Sequence, residues 1–288
     1  MTQINPPVFT RLGIIAGSGQ FPFMVADGAK RAGCHVTVIG LRGFADPALA
    51  DHADVFRWAG VARLGRWIRV LKRHHADSVI LAGAVTKTDM FRRFGLFGLI
   101  PDWRALKIWY VSLSDKRNDS VLSAVADELE RHGVKMRDCI EYSTEHLAPD
   151  GVLTNKQPSA SQLRDANFGW SIAKEIGRLD IGQTIAVKDT EVVAVEAIEG
   201  TDQMIERAGR LVRHGGWTLI KVAKPNQDMR FDVPTVGPET IGNLAANGAG
   251  MLVIEGGKTL IIDRRQMIAD ADRHGIVVLS RTNDSPDG

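Results

Sequence analysis

Cysteine is almost missing from this 288-residue chain, which holds only Cys34 and Cys139. Two thiols cannot build a disulfide framework or a cysteine-rich metal site. Both stand in apolar, strand-like stretches, where cysteine usually acts as a small buried hydrophobe. There is also no excess of one charge. Thirty-six Lys and Arg face 34 Asp and Glu, a net charge of +2, whereas a dedicated nucleic-acid binder shows a strong basic excess. Long hydrophobic runs are lacking. The longest, such as Leu12–Ala16 and Ser78–Ala84, fall far short of the roughly 20 apolar residues that span a bilayer. The first residues show no apolar core followed by a small-residue cleavage site, so no signal peptide is expected. A soluble, cytoplasmic protein is expected, one that meets a membrane only by lying on it. Zinc patterns of the Cys2His2 or His-x-x-x-His type are absent, as are a Gly-x-Ser-x-Gly elbow and a Walker loop, which removes support for a zinc enzyme, a serine hydrolase or a P-loop enzyme.

What remains is an ordinary globular composition, with 44% hydrophobic and 24% charged residues. At roughly 100–200 residues per domain, the length suggests two domains or one large one. Up to residue 135, apolar runs alternate with helical patterns. Strands are expected at Leu12–Ala16, His35–Leu41 and Ser78–Ala84, and helices at Phe21–Gly33, Val61–His75 and Asp119–Gly133. Strands alternating with helices predict a parallel sheet covered by helices. Residues 136–161, with a short strand at Cys139–Tyr142 followed by Pro, Gly and Asn, read as a connection. Beyond it, a helix at Gln162–Gly177, a hairpin around Lys188–Glu191, a tight turn at Gly256-Gly257 and further alternating elements predict a mixed sheet. The expected fold is α/β in two domains. A Rossmann-like parallel sheet occupies 1–135, and an α/β catalytic domain with a mixed sheet occupies 162–288.

Four loops carry residue types suited to phosphate. In GIIAGSGQFP (Gly13–Pro22), a turn of Gly17, Ser18, Gly19 and Gln20 joins an apolar strand to a helix, and a helix N-terminus presents free N–H groups to anions. Pro22 takes the third-glycine place of the dinucleotide fingerprint, and the second strand ends Ile39-Gly40-Leu41-Arg42 without a ribose-binding acid. Nicotinamide binding is therefore disfavoured, leaving an anion site or a tight turn with no ligand. Gly83, Thr86 and Lys87 follow the third strand and lie at the same carboxyl edge, where open α/β sheets bind ligands. The long polar stretch Lys221–Pro238 holds Lys221, Lys224, Asp228, Arg230 and Asp232. Two aspartates four apart can share a hard cation with phosphate oxygens, and the basic residues can neutralise the remaining charge. Finally, Glu196 ends an apolar strand that runs into Gly200-Thr201-Asp202, where Thr201 is expected to cap a helix. Thr190, in the hairpin turn, is expected to be a turn former.

The segments GIIAGSGQFP, GAVTK, NDSVLSAV, DIGQTIAVKDTEVVAVEAIEGTDQMIERAG and KVAKPNQDMRFDVPTVGPETI together resemble the UDP-2,3-diacylglucosamine pyrophosphatases of lipid A biosynthesis. The similarity is to the type unrelated to the calcineurin-like enzymes, and it covers about residues 11 to 280. The resemblance implies a Mg²⁺-dependent hydrolase that cuts its substrate to UMP and 2,3-diacylglucosamine 1-phosphate, with water attacking the sugar-side phosphorus. It implies a substrate lying between the two domains and an essential aspartate at Asp228. Asp228, Asp232 and Arg230 are then the catalytic candidates, and Asp228 and Asp232 the metal ligands; whether Asp228 binds metal or orients water stays open. The substrate-binding candidates are Gly17, Ser18, Gly19, Gln20, Gly83, Thr86, Lys87, Thr190, Gly200, Thr201, Lys221 and Lys224. The implied partners are the nucleotide-linked lipid, its lipid product and the cytoplasmic face of the inner membrane as a peripheral surface, with no nucleic acid; a homo-oligomer stays open. The competing reading is a non-catalytic nucleotide-sugar or lipid-binding regulator, which would use the same loops without needing Asp228 and Asp232.

The stretch Met90–Trp109 mixes ten large apolar residues with Arg92, Arg93, Arg104 and Lys107. This composition suits an element that meets apolar chains and anionic head groups; the alternative is a core or dimer contact. Changing Phe94, Leu96 and Phe97 together to Ser is expected to lower vesicle binding and the preference for a diacylated over a water-soluble UDP-sugar. A folded variant that keeps both would make the stretch purely structural.

Overall fold

Strands buried on both faces need apolar residues at every position, and the runs of this chain that lack alternation form the inner strands of its sheets. The computed structural model describes residues 11–85, 101–107, 118–225, 228–231 and 233–282, with the backbone alone at 118–120. The described residues divide into two compact units. One runs to Thr144 and takes in residues 228–231; the other begins at Glu145 and holds the rest.

In the first unit the order is β1 (Arg11–Ala16), α1 (Phe21–Arg31), β2 (His35–Leu41), a 3-10 turn (Pro47–His52) and β3 (Val55–Ala59). There follow α2 (Leu64–Arg73), β4 (Ser78–Ala82), α3 (Trp103–Lys107), α4 (Asn118–Arg131) and β5 (Lys135–Met136). The strands form one parallel sheet in the order β3-β2-β1-β4-β5. Ile14 lies opposite Val38 on one side and Ile80 on the other, and all three are fully buried. The opposite face of the sheet carries Ile15, Ile39 and Val79. It packs on Leu64, Trp67, Ile68 and Leu71 of α2 and on Ala126 and Leu129 of α4. The strand order turns back between β1 and β4, which makes that point the switch of the sheet.

The second unit contains β6 (Gly151–Val152), α5 (Ala160–Arg178), β7 (Thr184–Lys188), β8 (Glu191–Val195), α6 (Thr201–Leu211) and β9 (Trp217–Lys221). It continues with β10 (Thr235–Val236), α7 (Pro238–Ala246), β11 (Ala249–Glu255), β12 (Leu260–Ile261), α8 (Arg264–His274) and β13 (Val277–Arg281). Six strands make a mixed sheet, β6-β13-β11-β9-β7-β8, in which β13, β11 and β9 are parallel. Adjacent residues alternate between its faces. Leu219 and Leu252 meet α6, α7 and α8 through Met204, Ile241 and Met267. Ile220 and Val253 meet α5 through Trp170 and Ala173.

The α/β class, the parallel sheet and the mixed sheet follow the sequence reading. Three details differ. Val55–Ala59 is a strand the pattern did not announce, because an edge strand with Arg57 exposed lacks a continuous apolar run. Cys139–Tyr142, expected as a strand, is a turn; the fifth strand is the two-residue Lys135–Met136. After the turn at Gly256-Gly257, β12 pairs with β10 and not back onto β11.

Gly28, inside α1, lies against Tyr142. A Cβ there would sit 1.7 Å from the Tyr142 carbonyl oxygen. Gly242, inside α7, has open space around it. Gly28→Ala is therefore expected to destabilise the protein by about 1–3 kcal/mol through overpacking. Gly242→Ala is expected to stabilise it by up to about 1 kcal/mol. Urea unfolding of both variants checks the opposite signs.

Candidate active site

At the switch point the loop after β1 and the loop after β4 are tied together. The Gly17 N–H donates to the Ala82 carbonyl at 2.8 Å, and Ser18 and Ala84 exchange backbone hydrogen bonds of 2.9 and 3.0 Å. The Ser18 hydroxyl also donates to the Ala84 carbonyl, at 2.9 Å. A Cβ on Gly17 would lie 2.5 Å from the Ala84 oxygen, and one on Gly83 would lie 2.5 Å from the Ser18 oxygen. These two glycines are required because the loops touch each other. Gly83 also has a φ of +88°, so conformation as well as contact demands glycine there; Gly19, with a φ of +92°, has nothing within 4 Å of its Cβ position and is required by conformation alone. Gln20 is the N-cap of α1 and makes no side-chain cap hydrogen bond. The structure thus brings Gly17, Ser18, Gly19, Gln20 and Gly83 to one edge of the sheet. Thr86 and Lys87 lie outside the described residues.

Asp228, Met229, Arg230 and Phe231 form a tight turn closed by the Phe231 N–H donating to the Asp228 carbonyl at 3.0 Å. Aspartate favours the first position of such a turn because its side chain accepts from the backbone two residues on, here the Arg230 N–H at 3.0 Å. The Arg230 guanidinium grips the same carboxylate, with Nε 3.0 and 3.1 Å from its two oxygens and Nη2 2.7 Å from Oδ2. Arg230 also lies over the Phe231 ring, 5.0 Å from its centroid, and Phe231 packs on the core beneath α2 and α4. Hydrogen bonding from Arg230 holds the Asp228 carboxyl below the ordinary aspartate value, against the opposing effect of burial. The Met229 carbonyl accepts from Cys139, both from its N–H at 3.1 Å and from its thiol at 2.8 Å. Cys139 follows β5, so the turn docks at the carboxyl edge of the same parallel sheet that carries the glycine loops after β1 and β4. Asp232 lies outside the described residues.

The candidates in the second unit are engaged within it. The Lys221 ammonium, buried at the end of β9, donates to the Thr235 carbonyl at 3.1 Å. Lys224 donates to Asp180 at 2.5 Å. Thr190 and Asp189 both have positive φ, 59° and 51°, which is the two-residue hairpin geometry. The Thr190 N–H donates to buried Asp165 at 2.7 Å. Thr201 is not the helix cap that was expected. Gly200, with φ of +84°, is the N-cap of α6, and the Thr201 hydroxyl donates to Glu196 at 2.6 Å. Glu196 also accepts from the Gln183 N–H at 3.2 Å. These two donors account for a carboxylate at the end of an apolar strand.

Sequence reasoning missed two supports of the 223–231 stretch. Buried Glu255, at the end of β11, accepts from the Ala223 N–H at 2.8 Å and from the Lys174 ammonium at 2.6 Å. Lys174 donates in turn to the Ala223 carbonyl at 3.1 Å. The one signal in the sequence was an acid closing an apolar run, Met251–Glu255. Cys139 is the other support, and it carried no signal beyond its apolar surroundings.

Among the described residues no group of three His, Cys, Asp or Glu side chains can hold a metal ion. Asp228 offers hard oxygen donors, and Mg²⁺ commonly takes one or two carboxylates, completing its shell with substrate phosphate and water. Arg230 covers both oxygens of that carboxylate in this arrangement. A cation at this turn would therefore have to share the Asp228 carboxylate with Arg230 and draw the rest of its shell from phosphate and water.

Two α/β units, with a glycine-lined switch point and an arginine-gripped aspartate turn at one edge of the parallel sheet, define the class of protein: a two-unit α/β protein. The chain belongs to the LpxI family: the family model for the LpxI N-terminal domain matches residues 11–146, and that for the LpxI C-terminal domain matches residues 149–279. It is 37% identical over 281 residues to the UDP-2,3-diacylglucosamine pyrophosphatase LpxI of Caulobacter vibrioides, a match covering 93% of this chain and 96% of that one. Among solved structures, the biotin carboxylase domain of Hydrogenobacter thermophilus 2-oxoglutarate carboxylase matches with 14% identity and a TM-score of 0.28, over 72% of this chain and 42% of that one. N5-carboxyaminoimidazole ribonucleotide synthetase matches with 16% identity and a TM-score of 0.27, over 72% of this chain and 46% of that one. The chain spans less than half of either, and likeness at that level bears on nothing further.

The Asp228–Arg230 pair has a pH signature. A carboxyl whose native pKa is depressed contributes stability that is fully present above its unfolded value, about 4, and is lost as the pH falls through the lower native value. Arg230→Gln removes the guanidinium, so the Asp228 carboxyl is expected to titrate higher, nearer the ordinary aspartate range. Carboxyl-carbon NMR titration of both proteins checks this; an unmoved titration would show that Arg230 does not set the charge.

Proposed function

We propose that this chain hydrolyses the pyrophosphate bond of UDP-2,3-diacylglucosamine, releasing UMP and 2,3-diacylglucosamine 1-phosphate in lipid A biosynthesis. The observation that carries this reading is the 37% identity to a UDP-2,3-diacylglucosamine pyrophosphatase across 93% of the chain. The two family models support it.

The site suggests how the reaction is divided. Water attacks the sugar-side phosphorus, a new P–O bond forms there, and the bridging P–O bond breaks with its electrons leaving on the UMP phosphate. The backbone around Gly19 and the open start of α1 receive the diphosphate. Arg230, which neutralises Asp228 in the free protein, transfers part of its hydrogen bonding to phosphate oxygens as charge develops on them. This frees Asp228 to accept a proton from the attacking water or to share a metal. Thr86, Lys87 and Asp232 complete the proposed set on the strength of the sequence. Bound Mg²⁺, held by Asp228 and Asp232 with the substrate phosphates, would supply Lewis-acid polarisation of a phosphoryl oxygen.

The acyl chains and the bilayer call for an apolar surface. No described helix is long and apolar enough to cross a membrane. Trp103, in the described part of Met90–Trp109, is 79% exposed, and an amphipathic ring at the surface suits a membrane interface. We place the protein peripherally at the cytoplasmic face of the inner membrane.

The test is UMP release from UDP-2,3-diacylglucosamine with Mg²⁺. Asp228→Ala is expected to cut kcat by at least about 10²-fold while still folding, with only the modest loss of stability that goes with its Arg230 hydrogen bonds, and chelation is expected to abolish turnover until Mg²⁺ is restored. Substrate binding without UMP release by the parent protein would instead favour a binding regulator.

A further inference from the structure

The Asp228 turn is held by contacts outside itself, and one of them reaches the carboxylate through a single peptide group. The Met229–Arg230 peptide unit is planar, and in the trans form its C=O and N–H point to opposite sides. On one side, the Met229 carbonyl receives both donors of Cys139, the N–H at 3.1 Å and the thiol at 2.8 Å. On the other side, the Arg230 N–H donates to Asp228 Oδ1 at 3.0 Å. Rotation of this peptide plane would break both sets of bonds together. Cys139 is 1% exposed, and a carbonyl oxygen has two lone pairs. Met229 is half-buried, and without the thiol its carbonyl keeps only the Cys139 N–H of these two donors.

We propose that Cys139 is a positioning residue for Asp228, its thiol fixing the Met229–Arg230 peptide plane and through it the orientation of the carboxylate. The proposal rests on the pyrophosphatase reading for its consequence in turnover, and on geometry alone for its consequence in the turn. It differs from a packing role in what it predicts. A cysteine that only fills space is replaceable by Ala or Val at some cost in stability and none in kcat. A cysteine that sets the peptide plane affects kcat, leaves KM unchanged, and is replaceable only by a residue that donates a hydrogen bond.

The experiment compares the full chain with Cys139→Ala, Cys139→Ser and Cys139→Val. Two readouts are used: UMP release, and hydrogen exchange at the Arg230 and Phe231 amides. The Ala and Val variants are expected to lose about tenfold in kcat, as misplacement of a reacting group does, with KM within about twofold and with faster exchange at both amides. Ser retains a donor and is expected to recover most of kcat and of the protection. Val keeps apolar bulk in the site should the Ala variant fail to fold. Wild-type kcat in either variant that lacks the donor, or unchanged exchange, overturns the proposal. An equal loss in all three variants also overturns it, because the hydrogen bond would then be irrelevant. If the parent protein releases no UMP, the pyrophosphatase reading fails separately, and the exchange comparison still decides whether Cys139 fixes the peptide.

Discussion

A chain that leaves a β-sheet gives up the ladder that satisfied its peptide groups, and buried peptide groups left without partners are costly. Each unit meets this constraint with side chains. In the second unit, Glu255 and Lys174 take the N–H and C=O of Ala223. In the first, Cys139 takes the Met229 carbonyl, and the 228–231 turn closes on itself through Phe231 and Asp228. Glu255 is almost fully buried. The Lys174 and Lys258 ammonium groups lie 2.6 and 3.0 Å from its carboxylate oxygens. Asp228 is held within the first unit by the closure of its turn and by Cys139 on the Met229 carbonyl.

The parallel sheet of the first unit explains why the phosphate-type features share an edge. Strands β1, β4 and β5 run the same way, so the segments that follow them emerge together. Two of these carry the glycine loops, and the third carries Cys139 and through it the Asp228 turn. At that edge glycine has two distinct meanings. Gly17 and Gly83 permit two backbones to touch, while Gly19 leaves space beside a helix start. A glycine-rich motif read as a ligand cradle is thus in part a device for joining two loops.

Arg230 links electrostatics to chemistry. Its guanidinium pairs with the carboxylate it neighbours and lies over the ring of Phe231, which is half-buried against the core. The ring contact keeps the cation at the turn independently of its hydrogen bonds.

Local pattern and the segment resemblance made the α/β class, most strands and helices, and the shared carboxyl edge of the glycine loops legible in the sequence; the strand order that makes this edge a switch point was not. Unbroken apolar runs mean strands covered on both faces, and 3–4 spacing means a helix stripe. The resemblance also singled out Asp228. Edge and two-residue strands, Val55–Ala59 and Lys135–Met136, escaped because so short a stretch has no periodicity to read. The roles of Thr201 and Glu196 were not legible either. A cap and a carboxylate acceptor differ only in which neighbour the fold supplies. Tertiary structure alone decided that Cys139 meets Met229, 90 positions away, and that Glu255 meets Ala223 and Lys174. These are hydrogen bonds between residues brought together by folding, and composition and spacing carry no record of them.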